Sequence, residues 1–242
     1  MNYLDMLAKL GAGSAHPGGY AATLKQLDTL GIPEGSRILE VGCGTGRTAC
    51  LLAERGFRVT AVDIQPEMIR KAKLRAGKLN LDVEFVRADI SGLPFEDATF
   101  DIVMAESVTN FANVRHAVEQ YARVLKNGGT LYDREIVRLQ TLDEREAREI
   151  IEFFGFCQLF DVEQWLEVMR ASFEETTIWD QSLFQGNSLD DAETHPDPLQ
   201  QTSAGVFSNM SLLKTAIVYS ELVDRYNGKL GSAVMIGTKR SD

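Results

Sequence analysis

Short apolar runs alternate with helix-like patterns over the first 138 residues of the chain. Five runs have the length and nearly continuous apolar character of buried strands: Arg37–Val41, Arg58–Asp63, Val83–Ala88, Phe100–Ala105 and Thr130–Val137. Between them, helical periodicity covers three segments: Gly46–Arg55, Pro66–Gly77 and Val114–Lys126. Strands and helices in this alternation predict right-handed crossovers, and therefore a doubly wound α/β fold with helices on both faces of a parallel sheet.

Further elements flank this alternating region. Two helices are predicted before it, Tyr3–Leu10 and Gly19–Leu30, and a glycine-rich turn joins them. The elements predicted after it are helices at Leu142–Cys157, Val162–Ser172 and Met210–Tyr226, with strands at Phe173–Asp180 and Ser232–Thr238. Between Gly186 and Asn209 the chain is polar and has few apolar anchors, which indicates a long loop.

Composition narrows the class of protein. The chain has 242 residues, of which 44% are hydrophobic, enough for a substantial core. No stretch approaches the roughly 18 consecutive apolar residues of a membrane span, so we expect a soluble, cytoplasmic protein. The net charge of −10 disfavours binding to nucleic acid or to an anionic membrane.

The acidic excess lies in the second part of the chain, since residues up to Arg138 hold 17 acidic and 17 basic side chains, and the remainder 18 and 8. A solvated surface and an acidic rim facing a cationic substrate both account for it. Neither a disulfide framework nor a metal site is predicted, because the three cysteines lack CxxC spacing and the chain has only three histidines.

One motif points to chemistry. Residues 39–46 read LEVGCGTG and join the first predicted strand to the first helix of the core. Glycines here permit a positive φ and let a ligand approach bare backbone. The spacing is GxGxG, with Arg47 where a dinucleotide-binding GxGxxG motif needs its third glycine. Asp63, 21 positions after Gly42, and Asp89 end the next two strands, at the edge where open α/β sheets bind ligands.

These segments together resemble the class I S-adenosylmethionine-dependent methyltransferases, and most of all the small-molecule branch that includes the ubiquinone and menaquinone biosynthesis methyltransferases. The resemblance spans about Gly35 to Val137 and includes EVGCGTG, Asp63, RADISGLPFEDATFDIV and the turn RVLKNGGTLY. It implies a Rossmann-like sheet of seven strands with the last strand antiparallel, and S-adenosylmethionine as cofactor. It further implies a single methyltransferase domain comprising an N-terminal helical cap (1–34), a cofactor-binding core (35–138) and acceptor-side elements with a lid (139–242).

The resemblance also implies roles for individual residues. Glu40 is expected at the methionine amino group, Asp63 at the ribose hydroxyls and Asp89 at the adenine amino group. The complete set of expected cofactor-binding residues is Glu40, Gly42, Cys43, Gly44, Gly46, Asp63, Ile64, Asp89, Ile90 and Glu106. Asp89 as a simple turn cap, and Ile64 and Ile90 as ordinary core residues, are the structural alternatives.

No universal catalytic residue is implied, because the reaction is an in-line displacement that mainly requires alignment. Glu106, Asn110, Asp133 and His16 are the principal candidates, with Tyr20 and Glu135 as further polar groups near the expected pocket. Glu106 would contact either the cofactor or the acceptor, and His16 would serve as a base or simply order its loop. Glu-Ser-Val-Thr stands where amino-methylating nucleic-acid enzymes carry Asn/Asp-Pro-Pro-Tyr, which argues against a nucleic-acid substrate.

The acceptor pocket is expected from segments outside the resemblance, residues 1–30 and 139–185, with Asn187–Ser208 as a mobile lid on the acceptor side. Six aromatic residues there are interpreted either as core or as a cage for an amine or planar acceptor: Phe153, Phe154, Phe156, Phe160, Trp165 and Trp179. A non-catalytic cofactor-binding sensor and a nicotinamide-dependent oxidoreductase are the alternatives to methyl transfer, and the GxGxG spacing disfavours the second.

Overall fold

The computed structural model describes residues 1–184 and 193–241 and contains a seven-stranded sheet in the order β3-β2-β1-β4-β5-β7-β6. The strands are β1 (Arg37–Val41), β2 (Arg58–Asp63), β3 (Glu84–Arg87), β4 (Phe100–Glu106), β5 (Leu125–Arg138), β6 (Glu175–Leu183) and β7 (Leu230–Thr238). β1 pairs in parallel with both β2 and β4, and β7 is antiparallel to its neighbours β5 and β6. The predicted Rossmann-like sheet with an antiparallel last strand is confirmed.

Helices precede, connect and follow these strands. They are α1 (Tyr3–Leu10), α2 (Gly19–Thr29), α3 (Arg47–Glu54), α4 (Pro66–Leu79), α5 (Val114–Val124), α6 (Glu144–Phe154), α7 (Val162–Arg170) and α8 (Met210–Arg225). α6 begins with a capping box in which Asp143 accepts from the Glu146 backbone and Glu146 accepts from that of Asp143. None of the helices in the described ranges is long and apolar enough to cross a membrane.

The predicted boundaries of β1 and β2 match the structure, and others shift by one to five residues. The helix predicted to reach Lys126 ends at Val124, because Leu125 is extended, with φ −72° and ψ 138°, and pairs with Phe100. Gly128 and Gly129, which follow the predicted end of the helix, therefore lie within β5. Residues 173 and 174 lie outside β6, which continues to Leu183 after a register shift beyond Trp179.

Helices cover both faces of the sheet because successive strand residues point to opposite sides. Ile38 packs with Leu27 of α2, Ala49 of α3 and Ile69 of α4 on one face. Leu39 packs on the other face in a core that includes α5 and α7. The cofactor-type motif between β1 and α3 is consequently held by packing on both sides of the sheet.

A third apolar cluster joins the two ends of the chain. It unites α1, α6 and α8 around residues such as Tyr3, Phe154 and Leu222. Rings of Tyr3 and Phe154 meet edge-on with centroids 5.0 Å apart. This cluster anchors the N-terminal helix to elements more than 130 residues away in the sequence, and α1 thereby lies beside the carboxyl ends of the central strands.

Candidate functional site

A cavity of about 430 Å³ opens at the carboxyl ends of β1 to β4. Its floor is the turn after β1, its sides follow β2, β3 and β4, and α1 with the turn after it supplies a further wall. Its size lies within the range of small-molecule sites. The expected cofactor residues that line it are Glu40, Gly42, Cys43, Gly44, Asp63, Ile64, Asp89, Ile90 and Glu106. Gly46 is outside the lining.

The glycine-rich turn needs glycine for two separate reasons. Gly42 has φ +69°, and a Cβ there would lie 2.6 Å from the side chain of Val108 in the loop after β4. Gly44 has φ +52°, and the nearest atom to its added Cβ would be the carbonyl oxygen of Ala12 at 3.9 Å. Gly42 therefore permits close packing, while Gly44 leaves backbone open toward the cavity.

Gly46 serves the packing of helices. It is the N-cap of α3, with φ +74°, and an added Cβ would be 2.8 Å from Cβ of Ala72 in α4. The glycine thus allows α3 to approach α4 closely, and its part in the motif is to bring these two helices together.

Asp63 is oriented by backbone donors. One carboxylate oxygen accepts from Gly44 N–H at 2.9 Å and the other from Gln65 N–H at 2.8 Å. Burial raises the pKa of Asp63, and these two hydrogen bonds counteract the rise. Each oxygen retains lone-pair capacity for a diol facing the cavity. Asp89 accepts from Ser91 N–H at 2.8 Å and so does cap the following turn, in addition to lining the cavity.

Glu40 is buried at the cavity wall, and its Oε2 atom has no hydrogen-bond partner within the described ranges. Burial raises the pKa of Glu40 well above its ordinary value, and the nearby carboxyl groups of Glu106 and Asp63 add to the rise. An orphaned buried acceptor at this position suits an ammonium group. Together with the open backbone at Gly44, it makes the cavity fit S-adenosylmethionine.

Glu106 forms the centre of a polar network beside Glu40. Its two oxygens accept from the hydroxyl groups of Thr23 at 2.7 Å and Thr48 at 3.0 Å. His16 is buried beside them, with Nε2 3.2 Å from the Thr23 oxygen and 3.7 Å from Glu106. Three segments of the chain, the N-terminal turn with α2, the start of α3 and the end of β4, are joined here.

The partners of His16 bear on its expected role as a base. Nδ1 lies 3.3 Å from the carbonyl oxygen of Pro17, which only accepts, and Thr23 gives its hydroxyl proton to Glu106. With its proton on Nδ1, the neutral imidazole donates to Pro17 O, and Nε2 lies beside the Thr23 hydroxyl. These contacts join His16 to its own loop and to α2.

Asn110 and Asp133 are fully buried and lie outside the cavity lining. Asn110 donates to the carbonyl oxygen of Ile136 at 2.9 Å, and Asp133 accepts from the Thr109 hydroxyl at 2.8 Å. Glu135 likewise accepts from Thr109 N–H at 2.6 Å. These residues support the loop after β4 from behind, so their side chains do not face a ligand in the cavity.

Burial is the main influence on the pKa values of Asp133 and Glu135. It raises the pKa of Asp133 to about 7 and that of Glu135 well above its ordinary value, with the two carboxyl groups interacting. The supported loop begins at Ser107, whose φ of +58° is unusual for a residue other than glycine. The Ser107 N–H donates to Arg134 O at 2.7 Å, which helps to hold this conformation.

The apolar part of the lining comes from residues that the sequence reasoning did not single out. They include Leu4 and Leu7 of α1, Phe111 and Ala112 after β4, and Cys157. α1 belongs to the segment expected to build the acceptor pocket, and Leu4 and Leu7 follow the apolar spacing of an amphipathic helix. That spacing predicts a buried face without revealing that part of it borders a cavity.

The six highlighted aromatic residues are absent from the lining of this cavity. Phe154, Phe156 and Trp165 are buried in the apolar cores, so the expected aromatic cage is not formed by them. Tyr20 also lies outside the lining and stacks against the Arg47 guanidinium, 3.8 Å from its ring centroid.

The predicted lid falls partly outside the described residues, since 185–192 are not among them. Its remaining part packs against α1, α3 and α4. Arg47 donates to the carbonyl oxygen of His195 at 2.7 Å, and Gln201 donates to that of Lys71 at 3.1 Å. The described part of the segment therefore contacts α3 and α4, next to the glycine-rich turn, and also contacts the end of α1.

Fold and site together define a class I S-adenosylmethionine-dependent methyltransferase. The methyltransferase domain family matches residues 39–133. An uncharacterized methyltransferase of Bacillus subtilis is 30% identical over 238 residues, which is 98% of this chain and 99% of that protein. The chain belongs to this methyltransferase family and is an S-adenosylmethionine-dependent enzyme.

Two further proteins illustrate the range of similarity. A demethylmenaquinone methyltransferase of Thermus thermophilus is 41% identical over 98 residues, 39% of this chain and 44% of that protein. Haemonchus contortus phosphoethanolamine N-methyltransferase 2, solved with phosphomonomethylethanolamine and S-adenosylhomocysteine, has a TM-score of 0.77 at 21% identity, over 98% of this chain and 57% of that chain. The second likeness shows a shared fold.

Proposed function

We propose that the protein transfers the methyl group of S-adenosylmethionine to a small-molecule acceptor that enters from the α1 side of the cavity. The observation that carries this proposal is the composition of one continuous cavity. The glycine-rich turn, Glu40, Asp63 and Asp89 line it together with apolar side chains such as Leu7 and Phe111.

Each residue expected to bind the cofactor has a proposed task. Glu40 binds the ammonium group with its unpartnered oxygen, and Asp63 binds the ribose hydroxyls. Asp89 accepts from the adenine amino group while it caps its turn. Ile64 and Ile90 flank the ring, and the exposed fraction of Ile64, 54%, leaves that side chain free to be covered by a ligand.

When bound, S-adenosylmethionine supplies an electrophilic methyl group on a sulfonium leaving group. The chain's contribution is then to align the acceptor and exclude water. Glu106 lines the cavity and is positioned for this by Thr23 and Thr48. It orients the acceptor and takes its proton where the nucleophile carries one.

The charges of the cavity favour a neutral or cationic acceptor. Among the described lining residues the carboxyl groups are Glu40, Asp63, Asp89 and Glu106, and none is Lys or Arg. Residues 185–192, outside the described ranges, also contain no Lys or Arg in their sequence. An anionic acceptor would be repelled by these carboxylates in a partly desolvated site, without a described lining Lys or Arg to offset the repulsion.

Within this class, a quinone-type precursor like those of the ubiquinone and menaquinone branch is one candidate acceptor, supported by the Thermus relative over 39% of the chain. Its neutral ring suits the apolar wall. Nucleic acid is not proposed as a substrate, given the net charge of −10, and gel-shift assays should show no appreciable binding at physiological salt. The cytoplasmic location stays a prediction of the sequence.

Calorimetry followed by an acceptor screen tests the proposal. We expect S-adenosylhomocysteine to bind in the micromolar range, about −8 kcal/mol, and NADH not to bind comparably. Release of S-adenosylhomocysteine is then monitored with matched amines, alcohols, phenols and phosphates. Turnover with a neutral or cationic member supports the proposal; binding without turnover across the metabolite pool would favour the sensor alternative.

A further inference from the structure

A buried arginine connects the glycine-rich turn to a distant part of the chain. Arg75 of α4 donates through Nε to the carbonyl oxygen of Thr45 at 3.0 Å. The same guanidinium forms two parallel hydrogen bonds to the carboxylate of Asp197, that from Nη1 being 2.8 Å long. Both side chains are buried, with relative exposures of 4% and 7%. Paired hydrogen bonds of this kind are strong and directional.

Asp197 belongs to a segment, Glu193–Ser203, which we call the strap. Besides Asp197, the strap is held by Arg47, which donates to two of its carbonyl oxygens, and by Gln201, which donates to Lys71 O. It also bonds to the end of α1, where Gln200 donates to Leu10 O at 2.8 Å. These contacts fasten the strap both to the cofactor-side helices and to the N-terminal helix.

The turn between α1 and α2 is enclosed by the strap and the glycine-rich turn. A Cβ added at Gly13 would lie 3.0 Å from both an Asp197 carboxylate oxygen and the Thr45 hydroxyl. At Gly11 an added Cβ would be 2.3 Å from the carbonyl oxygen of Gln201. Ala12, Gly13 and Ala15 of the same turn line the cavity. The strap therefore packs directly against the turn after α1, which forms one wall of the cavity.

We propose that Asp197 is a positioning residue of the cofactor site: through Arg75 it locks the strap, and the strap holds the turn after α1 over the cofactor. The proposal rests on the proposed function. Asp197 touches neither the cavity nor its ligand in this arrangement, so it acts through Thr45 and Gly13. Entry and exit of the cofactor then require the Asp197–Arg75 pair to open.

Burial pushes the pKa of Asp197 upward, but hydrogen bonds and charge from Arg75, with a smaller effect of Arg47, leave it below its ordinary value. Asp197 is thus a carboxylate at neutral pH, the form that makes a charge-assisted pair. Asp197→Asn keeps the size of the side chain, and Arg75 can still donate to Thr45 in that variant. This substitution therefore weakens only the pair between Asp197 and Arg75, which we call the latch.

Stopped-flow binding of S-adenosylhomocysteine tests the proposal. In Asp197→Asn we expect dissociation to be about tenfold faster than in wild type, in a free protein that still folds but melts at a lower temperature because Arg75 keeps its charge in a buried site. Arg75→Lys should act in the same direction. The matched control is Asp97→Asn, which removes an exposed Asp–Arg pair with Arg123 and should leave the rate unchanged.

Hydrogen exchange of the strap and of residues 11–16 provides a second measurement on intact protein. Saturation with S-adenosylhomocysteine should slow amide exchange in both segments of the wild-type protein. In Asp197→Asn without ligand, amide exchange in both segments should be faster than in wild type. A dissociation rate within twofold of wild type in folded Asp197→Asn would overturn the proposal, as would equal acceleration in Asp97→Asn. If wild type binds no S-adenosylhomocysteine, the proposed function fails, whereas the exchange experiment without ligand still reports on the latch.

Discussion

The carboxylate of Asp63 accepts a hydrogen bond of 2.9 Å from the backbone N–H of Gly44. The acid at the end of β2 and the glycine-rich turn after β1 are therefore one structural unit. A substitution at Asp63 changes the shape of that turn as well as the groups that face the ribose, so the measured loss of affinity contains both effects.

Asp63→Asn should weaken S-adenosylhomocysteine binding by roughly 2 to 3 kcal/mol, because charge-assisted hydrogen bonds to the ribose become neutral or are lost. Calorimetry measures the change. The exposed Asp82, at the opposite end of the sheet before β3, provides the control Asp82→Asn. Equal affinity in Asp63→Asn and wild type would remove Asp63 from the cofactor site.

Binding of the cofactor should release a proton from Glu40. Burial, with Glu106 and Asp63 nearby, raises the pKa of Glu40 well above its ordinary value, so the free protein retains this proton to a higher pH than an exposed glutamate does. A bound ammonium favours the carboxylate. Affinity should consequently increase with pH up to the pKa of Glu40 in the free protein and level off above it.

Calorimetry in buffers of different ionisation enthalpy detects that proton. Glu40→Gln should abolish the buffer dependence and weaken binding. Proton release that is identical in wild type and Glu40→Gln would assign the effect to another group.

The buried acids behind the β4 loop should make folding less stable as the pH rises. Burial raises the pKa of Asp133 to about 7, above its unfolded value of about 4. Between these values the folded state binds more protons, so stability is highest at the acidic end and falls toward neutral pH, by at most about 1.4 kcal/mol per pH unit for one group.

Asp133→Asn keeps an oxygen for the Thr109 hydroxyl and removes this ionisation. Urea unfolding at pH 5 and pH 7.5 should show a smaller loss of unfolding free energy for the variant than for wild type. The same pH dependence in both proteins would show that Asp133 ionises normally in the fold.

Gly42→Ala should destabilise the protein by more than its backbone strain alone. The positive φ costs roughly 1 to 2 kcal/mol for alanine, and the added methyl group also collides with Val108. Gly56 is a matched control, since its φ is +85° and nothing lies within 4 Å of an added Cβ. Gly56→Ala should thus show the strain without the collision.

Urea unfolding of both variants gives the difference. In a double-mutant cycle, Val108→Gly should recover part of the additional loss in Gly42→Ala. Equal destabilisation by Gly42→Ala and Gly56→Ala, with no coupling to Val108, would mean that the two loops are not in rigid contact.

The sequence by itself determined the sheet, the order of its core elements and the edge at which a ligand binds. Apolar patterns are local, and the boundaries of β1 and β2 follow from them residue by residue. Since parallel strands end at a common edge, the positions of Glu40, Asp63 and Asp89 in the sequence were enough to bring them to one cavity.

Only the tertiary structure decided which neighbouring polar groups face that cavity. Glu106 lines it, whereas Asp133 on the adjacent strand is buried behind the β4 loop. Sequence spacing places both at the same edge, but the path of the loop determines which side chain it covers. The burial of Asn110 has the same cause.

The wall from α1 and the latch between Arg75 and Asp197 were likewise beyond the sequence. The latch joins residues 122 positions apart. The polar composition of a loop does not show which distant residue one of its side chains binds. Periodicity reports whether a residue is buried, because burial follows the local repeat of a helix or strand. Periodicity does not show which residues a buried side chain packs against, because that depends on how the elements pack in three dimensions.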